Sequence, residues 1–180
     1  MKKTSIAAVN RILNGKSNPC DKLGFWFVDQ HTGKFGVTDS FCCVMYDSNI
    51  DLSGFDMADS PYLKDGYESP FPTDVSRLFN PFNNEFHEWY SDEHMDNIPV
   101  KEIIEQSKEA KKNKKDDSQW YNVNKYGIHY NIELMRAVCE ALDCKTVGIY
   151  YPANPIDVKY YKPIVIIGDT GIGLVMPIKQ

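Results

Sequence analysis

The chain has 180 residues, is 42% hydrophobic and 25% charged, and carries a net charge of −5. That length suits one domain with room for a large insertion, able to bury roughly 70% of its unfolded surface. No run approaches the roughly 18 apolar residues of a membrane span and no apolar leader is visible, so the expectation is a cytoplasmic protein with no membrane partner.

The first predicted element is a helix from Ser5 to Asn14, capped by Thr4 or Ser5, ended by Gly15, and with Ile6, Val9, Ile12 and Leu13 as its apolar stripe. Its other side carries Lys3, Ala7, Asn10, Arg11 and Asn14, with Lys16 just beyond, and no acid. Such a face suits either a phosphate backbone or plain solvent. Strands are predicted at Gly24–Val28, Phe35–Thr38 and Phe41–Tyr46. The first two are joined by a turn over Asp29–Lys34.

Residues 56–120 interrupt this order. The stretch 56–100 has 10 acidic and 2 basic side chains, which is −8, so the remainder of the chain sums to +3. The net charge argues against simple electrostatic capture of nucleic acid, but local field decides what a surface attracts. The interruption shows no strand alternation and reads as ordered loop pinned by its aromatics. A helix over Pro99–Lys112 follows, with Val100, Ile103 and Ile104 inward, running into the basic stretch from Lys111 to Lys115. That stretch is suited to solvent or to DNA.

Within the interruption, ligand-type residues crowd between Glu85 and His94. On a helix, His87 and His94 could face one way, but the spacing is not His-Glu-x-x-His and rings interleave the acids, so an acidic surface loop is favoured over a metal site. The five cysteines, Cys20, Cys42, Cys43, Cys139 and Cys144, are odd in number and include no C-x-x-C pair. They read as reduced, mostly buried thiols with neither disulfide framework nor zinc. Gly168-Asp169-Thr170-Gly171 lies between strands, which marks a hairpin rather than a phosphate loop. No nucleophile with an orienting base can be placed, and the chain is expected to be neither an enzyme nor cofactor-dependent.

The last fifty or so residues have the clearest punctuation. They give a strand at Tyr126–Tyr130, Asn131 as N-cap of a helix to Leu142, and strands at Thr146–Tyr151, Pro163–Ile167 and Ile172–Ile178.

This unit resembles the closing half of a bacterial DNA sliding clamp domain, the β subunit of the replicative polymerase. The likeness runs through Asn131-Ile132-Glu133-Leu134-Met135-Arg136, Lys145-Thr146-Val147-Gly148-Ile149, Lys162-Pro163-Ile164-Val165-Ile166 and Leu174-Val175-Met176-Pro177-Ile178-Lys179. In the front half, Lys34 to Phe41 resembles the family's apolar-x-apolar-Thr-Asp segment, although Ser40, Phe41 and Cys42 stand where the family has Gly, His or Tyr, and Arg. Phe71 to Phe79 is similar to the family's Phe-Pro-Asp-x-x-Arg-Leu linker, with one residue extra.

The resemblance implies an α+β fold, one clamp-like domain over 1–180 built of two β-α-β-β-β halves, with 56–120 as an insertion. It also implies a non-enzymatic DNA-tethering or replication-associated protein. The alternative is a protein-interaction module on that fold which encircles nothing. Partners would be duplex DNA, bound weakly through Lys3, Asn10, Arg11, Asn14 and Lys16, a polymerase or other replication protein, and further copies of the chain. By the same likeness Thr38, Asp39, Phe41, Cys42, Val175, Met176, Pro177 and Ile178 would line a groove for a partner peptide, or else only close the core. Glu133, Glu140 and Asp143 on the second helix, against Arg136 alone, are expected to repel a phosphate backbone.

Overall fold

The computed structural model describes residues 2–14, 24–29, 32–39, 41–57, 90–112, 122–125, 128–152 and 162–178. Within them the chain runs α1 (Lys3–Leu13), β1 (Phe25–Val28), β2 (Phe35–Thr38), β3 (Cys42–Tyr46), β4 (Tyr90–Pro99), α2 (Val100–Lys112), β5 (Asn122–Lys125), β6 (Ile128–Asn131), α3 (Ile132–Ala141), β7 (Thr146–Pro152), β8 (Ile164–Gly168) and β9 (Gly171–Val175). The fold is mixed α+β. One seven-stranded sheet has the order β1-β2-β3-β9-β8-β7-β4, and β5 and β6 form a separate ladder. Every pairing in both sheets is antiparallel.

The sheet is two meanders joined back to back. β1-β2-β3 and β7-β8-β9 each fold strand on neighbouring strand, and the third strands of the two meet antiparallel, with Cys42 opposite Val175 and Tyr46 opposite Gly171. Each meander follows a helix, α1 or α3, and the two helices pack on one another.

β3 is an interior strand of the sheet, between β2 and β9, and is buried along its whole length. Because side chains alternate across a strand, Cys42, Val44 and Tyr46 enter the core beneath the helices while Cys43 and Met45 enter a second cluster with Phe27, Tyr90, Val165 and Leu174. Helix α3 lies close on β9 because position 173 is glycine. A Cβ there would come 2.1 Å from Val138 Cγ1.

Local signals for several elements act as the sequence suggests. Asn131 caps α3, its side chain accepting from the Glu133 and Leu134 amides at 2.8 and 3.4 Å. The Asp29–Lys34 turn closes through Asp29 N–H to Lys34 O at 2.9 Å, with Gly33 at φ 67°.

Four expectations change. Helix α1 starts at Lys3, its N-cap Lys2 makes no side-chain cap bond, and Ser5 is buried inside the helix. Its inward stripe is Ser5, Ala8, Val9 and Ile12, so the small residues let α1 approach α3 and leave Ile6 half-exposed. Tyr90–Pro99, read as loop, is a ten-residue edge strand on β7, and Pro99 ends it rather than starting α2. The strand before α3 belongs to the β5–β6 ladder, and no described strand precedes α1, so the halves share a helix and a meander rather than a full β-α-β-β-β unit. Finally, β9 stops at Val175, short of the predicted Ile178.

Candidate interaction site

The bend between β2 and β3 is built by Asp39. Its Oδ1 accepts the Phe41 and Cys42 amides at 3.0 and 2.8 Å, and the Thr38 hydroxyl donates to Cys42 O at 2.7 Å. Burial pushes the Asp39 carboxyl above the ordinary carboxylate range, and the Cys42 and Phe41 amides pull the other way. The chain leaving β9 is laid along this bend, with Met176 N–H donating to Phe41 O at 2.8 Å and Ile178 N–H to His129 O at 2.7 Å.

All eight residues expected to form a peptide groove are therefore gathered where β2, β3, β9 and β6 meet. They divide by depth. Thr38, Asp39, Cys42 and Val175 are at most 2% exposed and form the floor, while Phe41, Met176, Pro177 and Ile178 are half-buried and form the surface. His129, which holds Ile178 in place, carried no signal in the sequence, because its contribution is a backbone carbonyl.

The expected DNA-contacting face of α1 is changed by its neighbours. Lys3, Asn10 and Asn14 are exposed, and the Asn14 side chain turns back to donate to Asn10 O at 2.6 Å. Arg11 instead pairs with Glu140 of α3, and Lys16 lies outside the described residues. The acids on and just after α3 that were expected to repel phosphate are each matched by a base. Glu140 also pairs with Arg136 at 3.3 Å, Asp143 pairs with Lys2 at 2.8 Å, and Glu133 pairs with Lys111 of α2 at 2.5 Å. Ser107 of α2, fully buried, donates to Glu133 as well.

Helix α3 thus lies in a layer with α1 and α2, and ion pairs tie it to both. Lys111, expected in a basic run open to solvent or DNA, is part of that seam, while 113–115 lie outside the described residues. Partial burial pushes Asp143 up, but the hydrogen bonds and charge of Lys2 outweigh it and hold the carboxyl below the ordinary range.

Cys42, Cys43, Cys139 and Cys144 are buried free thiols, and burial pushes each of them up, which disfavours the reactive thiolate. Cys20 lies outside the described residues. Among the described residues no group of three or more His, Cys, Asp or Glu could hold a metal ion. His94 stands on strand β4, so the helical spacing that would align it with His87 does not apply there, and His87 itself is outside the described residues. None of the described helices is long and apolar enough to cross a membrane.

No protein-family model, curated protein or solved structure matches the chain.

Proposed function

We propose that the chain is a non-catalytic binding module on a clamp-like plan, acting through protein contacts rather than by encircling DNA. The plan is supported by the two helix-plus-meander halves, the antiparallel seam of β3 on β9, and the adjacency of α1 and α3. The choice of protein over DNA is carried by the helix layer. Lys2, Arg11 and Lys111 are engaged by Asp143, Glu140 and Glu133, so these bases are tied up within the layer, where an encircling protein needs unengaged positive charge.

The contact surface is the half-buried strip of Phe41, Met176, Pro177 and Ile178, which offers apolar area on a floor fixed by Asp39. A labelled clamp-binding peptide, titrated by fluorescence anisotropy, should bind saturably, and Met176→Ala should weaken it several-fold. Absence of saturable binding, or indifference to Met176→Ala, removes the site.

DNA tethering is the second reading, favoured by the acid-free strip of Lys3, Asn10 and Asn14 on α1. It calls for weak association that does not depend on sequence.

A further inference from the structure

At the opposite end of the β2–β3 hairpin from this strip, the chain leaving β3 folds back and leaves a recess of about 300 Å3. Its walls include Phe35, Ile50, Leu52, Lys34, Asp47 and Asp51. The recess is held open by backbone bonds rather than by chance packing. Asp47 N–H donates to Thr170 O at 3.0 Å, Ile50 N–H to Asp47 O at 3.0 Å, and Phe55 N–H to Leu52 O at 3.0 Å. Phe55 in turn packs on Trp26 and Tyr46, with ring centroids 5.2 and 6.3 Å away, which anchors the loop to the core.

Two features of the recess call for a ligand of definite chemistry. Phe35 is 37% exposed, is the sole large hydrophobic side chain exposed among the described residues, and lines the recess. Around it stand two carboxylates and one ammonium, a local charge of −1. Lys34 holds Asp47 Oδ1 at 2.7 Å, and Asp51 Oδ1 accepts the Ser53 amide at 2.9 Å. The Ser53 hydrogen bonds hold the Asp51 carboxyl below the ordinary range, which keeps it ionised.

An aromatic face beside a net negative charge attracts cations, and a flat cation that can stack on the ring while donating to carboxylates fits best. A guanidinium has that shape, whereas an ammonium is a compact, strongly hydrated point charge. Half-buried Ile50 and Leu52 supply apolar wall for the methylenes of an arginine stem. We propose that this recess binds an arginine side chain of a protein partner, its guanidinium stacked on Phe35 and donating to Asp51 and Asp47.

The test uses the full chain, isotopically labelled, and a short peptide with one central arginine, followed by NMR. Shift changes should saturate at Phe35 and over residues 47–52. A peptide with lysine should bind more weakly, and one with citrulline, which keeps the shape without the charge, should not bind. Phe35→Leu, which keeps apolar bulk and removes the ring, and Asp51→Asn should each weaken binding about two- to fivefold. Lys34→Met should tighten it, because it frees Asp47 and moves the local charge to −2.

Equal binding of citrulline and arginine peptides would overturn the proposal. So would shifts centred elsewhere, or Phe35→Leu and Asp51→Asn proteins that are folded and bind as wild type. The outcome is independent of the Met176 strip, since the two surfaces lie at opposite ends of the hairpin and are read by different peptides.

Discussion

Asp39 shows how one side chain sets a turn at an electrostatic cost. It is buried to 1% exposure and bonds two backbone amides, and the carboxyl is shifted up because burial outweighs those bonds. A folded pKa above the unfolded one means the associated stability is present below the unfolded pKa and is lost as pH rises through the folded pKa. Asparagine accepts the same two bonds through its carbonyl and never ionises. Asp39→Asn should therefore be at least as stable as wild type at neutral pH and should flatten the stability profile through the acid range. Asp39→Ala leaves the buried Cys42 amide without that acceptor and should cost about 1–3 kcal/mol. Urea unfolding of the three proteins at several pH values checks both outcomes, and a destabilised Asp39→Asn at neutral pH would show that the charge itself holds the bend.

At the scale of elements, the layer of helices is set by one close approach and a row of ion pairs. A Cβ at position 173 would fall 2.1 Å from Val138 Cγ1, too near for side-chain adjustment alone. Gly173→Ala should cost about 1–3 kcal/mol by overpacking. Val138→Ala on the same chain should recover part of the loss, since it removes the atom that is struck, and thermal unfolding of the two single variants and the double variant measures this coupling. The neighbouring α2 is held differently. Of its residues only Val100, Ile103 and Ser107 are buried, and Ser107 and Lys111 both reach Glu133. Strand β4 before it carries Asp92, Glu93 and Asp96, charges that guard an edge strand against further pairing.

For the whole molecule, the question is what the layer of helices presents to a long polyanion. With Arg11 tied to Glu140, α1 offers few unengaged bases, and each phosphate neutralised contributes about −0.9 to the slope of log affinity against log salt. Anisotropy titration with duplex DNA at two salt concentrations should give weak binding with a slope no steeper than about −2. Arg11→Glu should act chiefly on folding, because it sets a second carboxylate against Glu140 at a part-buried site. A stable Arg11→Glu protein that has selectively lost DNA would place a real DNA contact on α1, and tight binding that persists at high salt would place it on another surface.

What the sequence determined by itself was local. The periodicity of α1 and α3, the apolar runs of β1 to β3 and β7 to β9 and the Asn131 cap all depend on residues within a few positions of one another, where spacing and side-chain type carry the information. The tertiary structure decided the partners. Strand β4 has an acid-rich, weakly β-forming sequence and is a strand because β7 offers it a ladder; β5 is likewise a strand because β6, itself legible as a strand, offers it one. The same division runs through the candidate sites. The acid-free face of α1 was legible from spacing, while the pairing of the Met176 segment with the bend entered only as what the resemblance implies. That Arg11 answers Glu140 across 129 positions, and Lys111 answers Glu133, was not legible. A charge's partner is chosen by how helices pack on the sheet, and no local pattern along the chain encodes that choice.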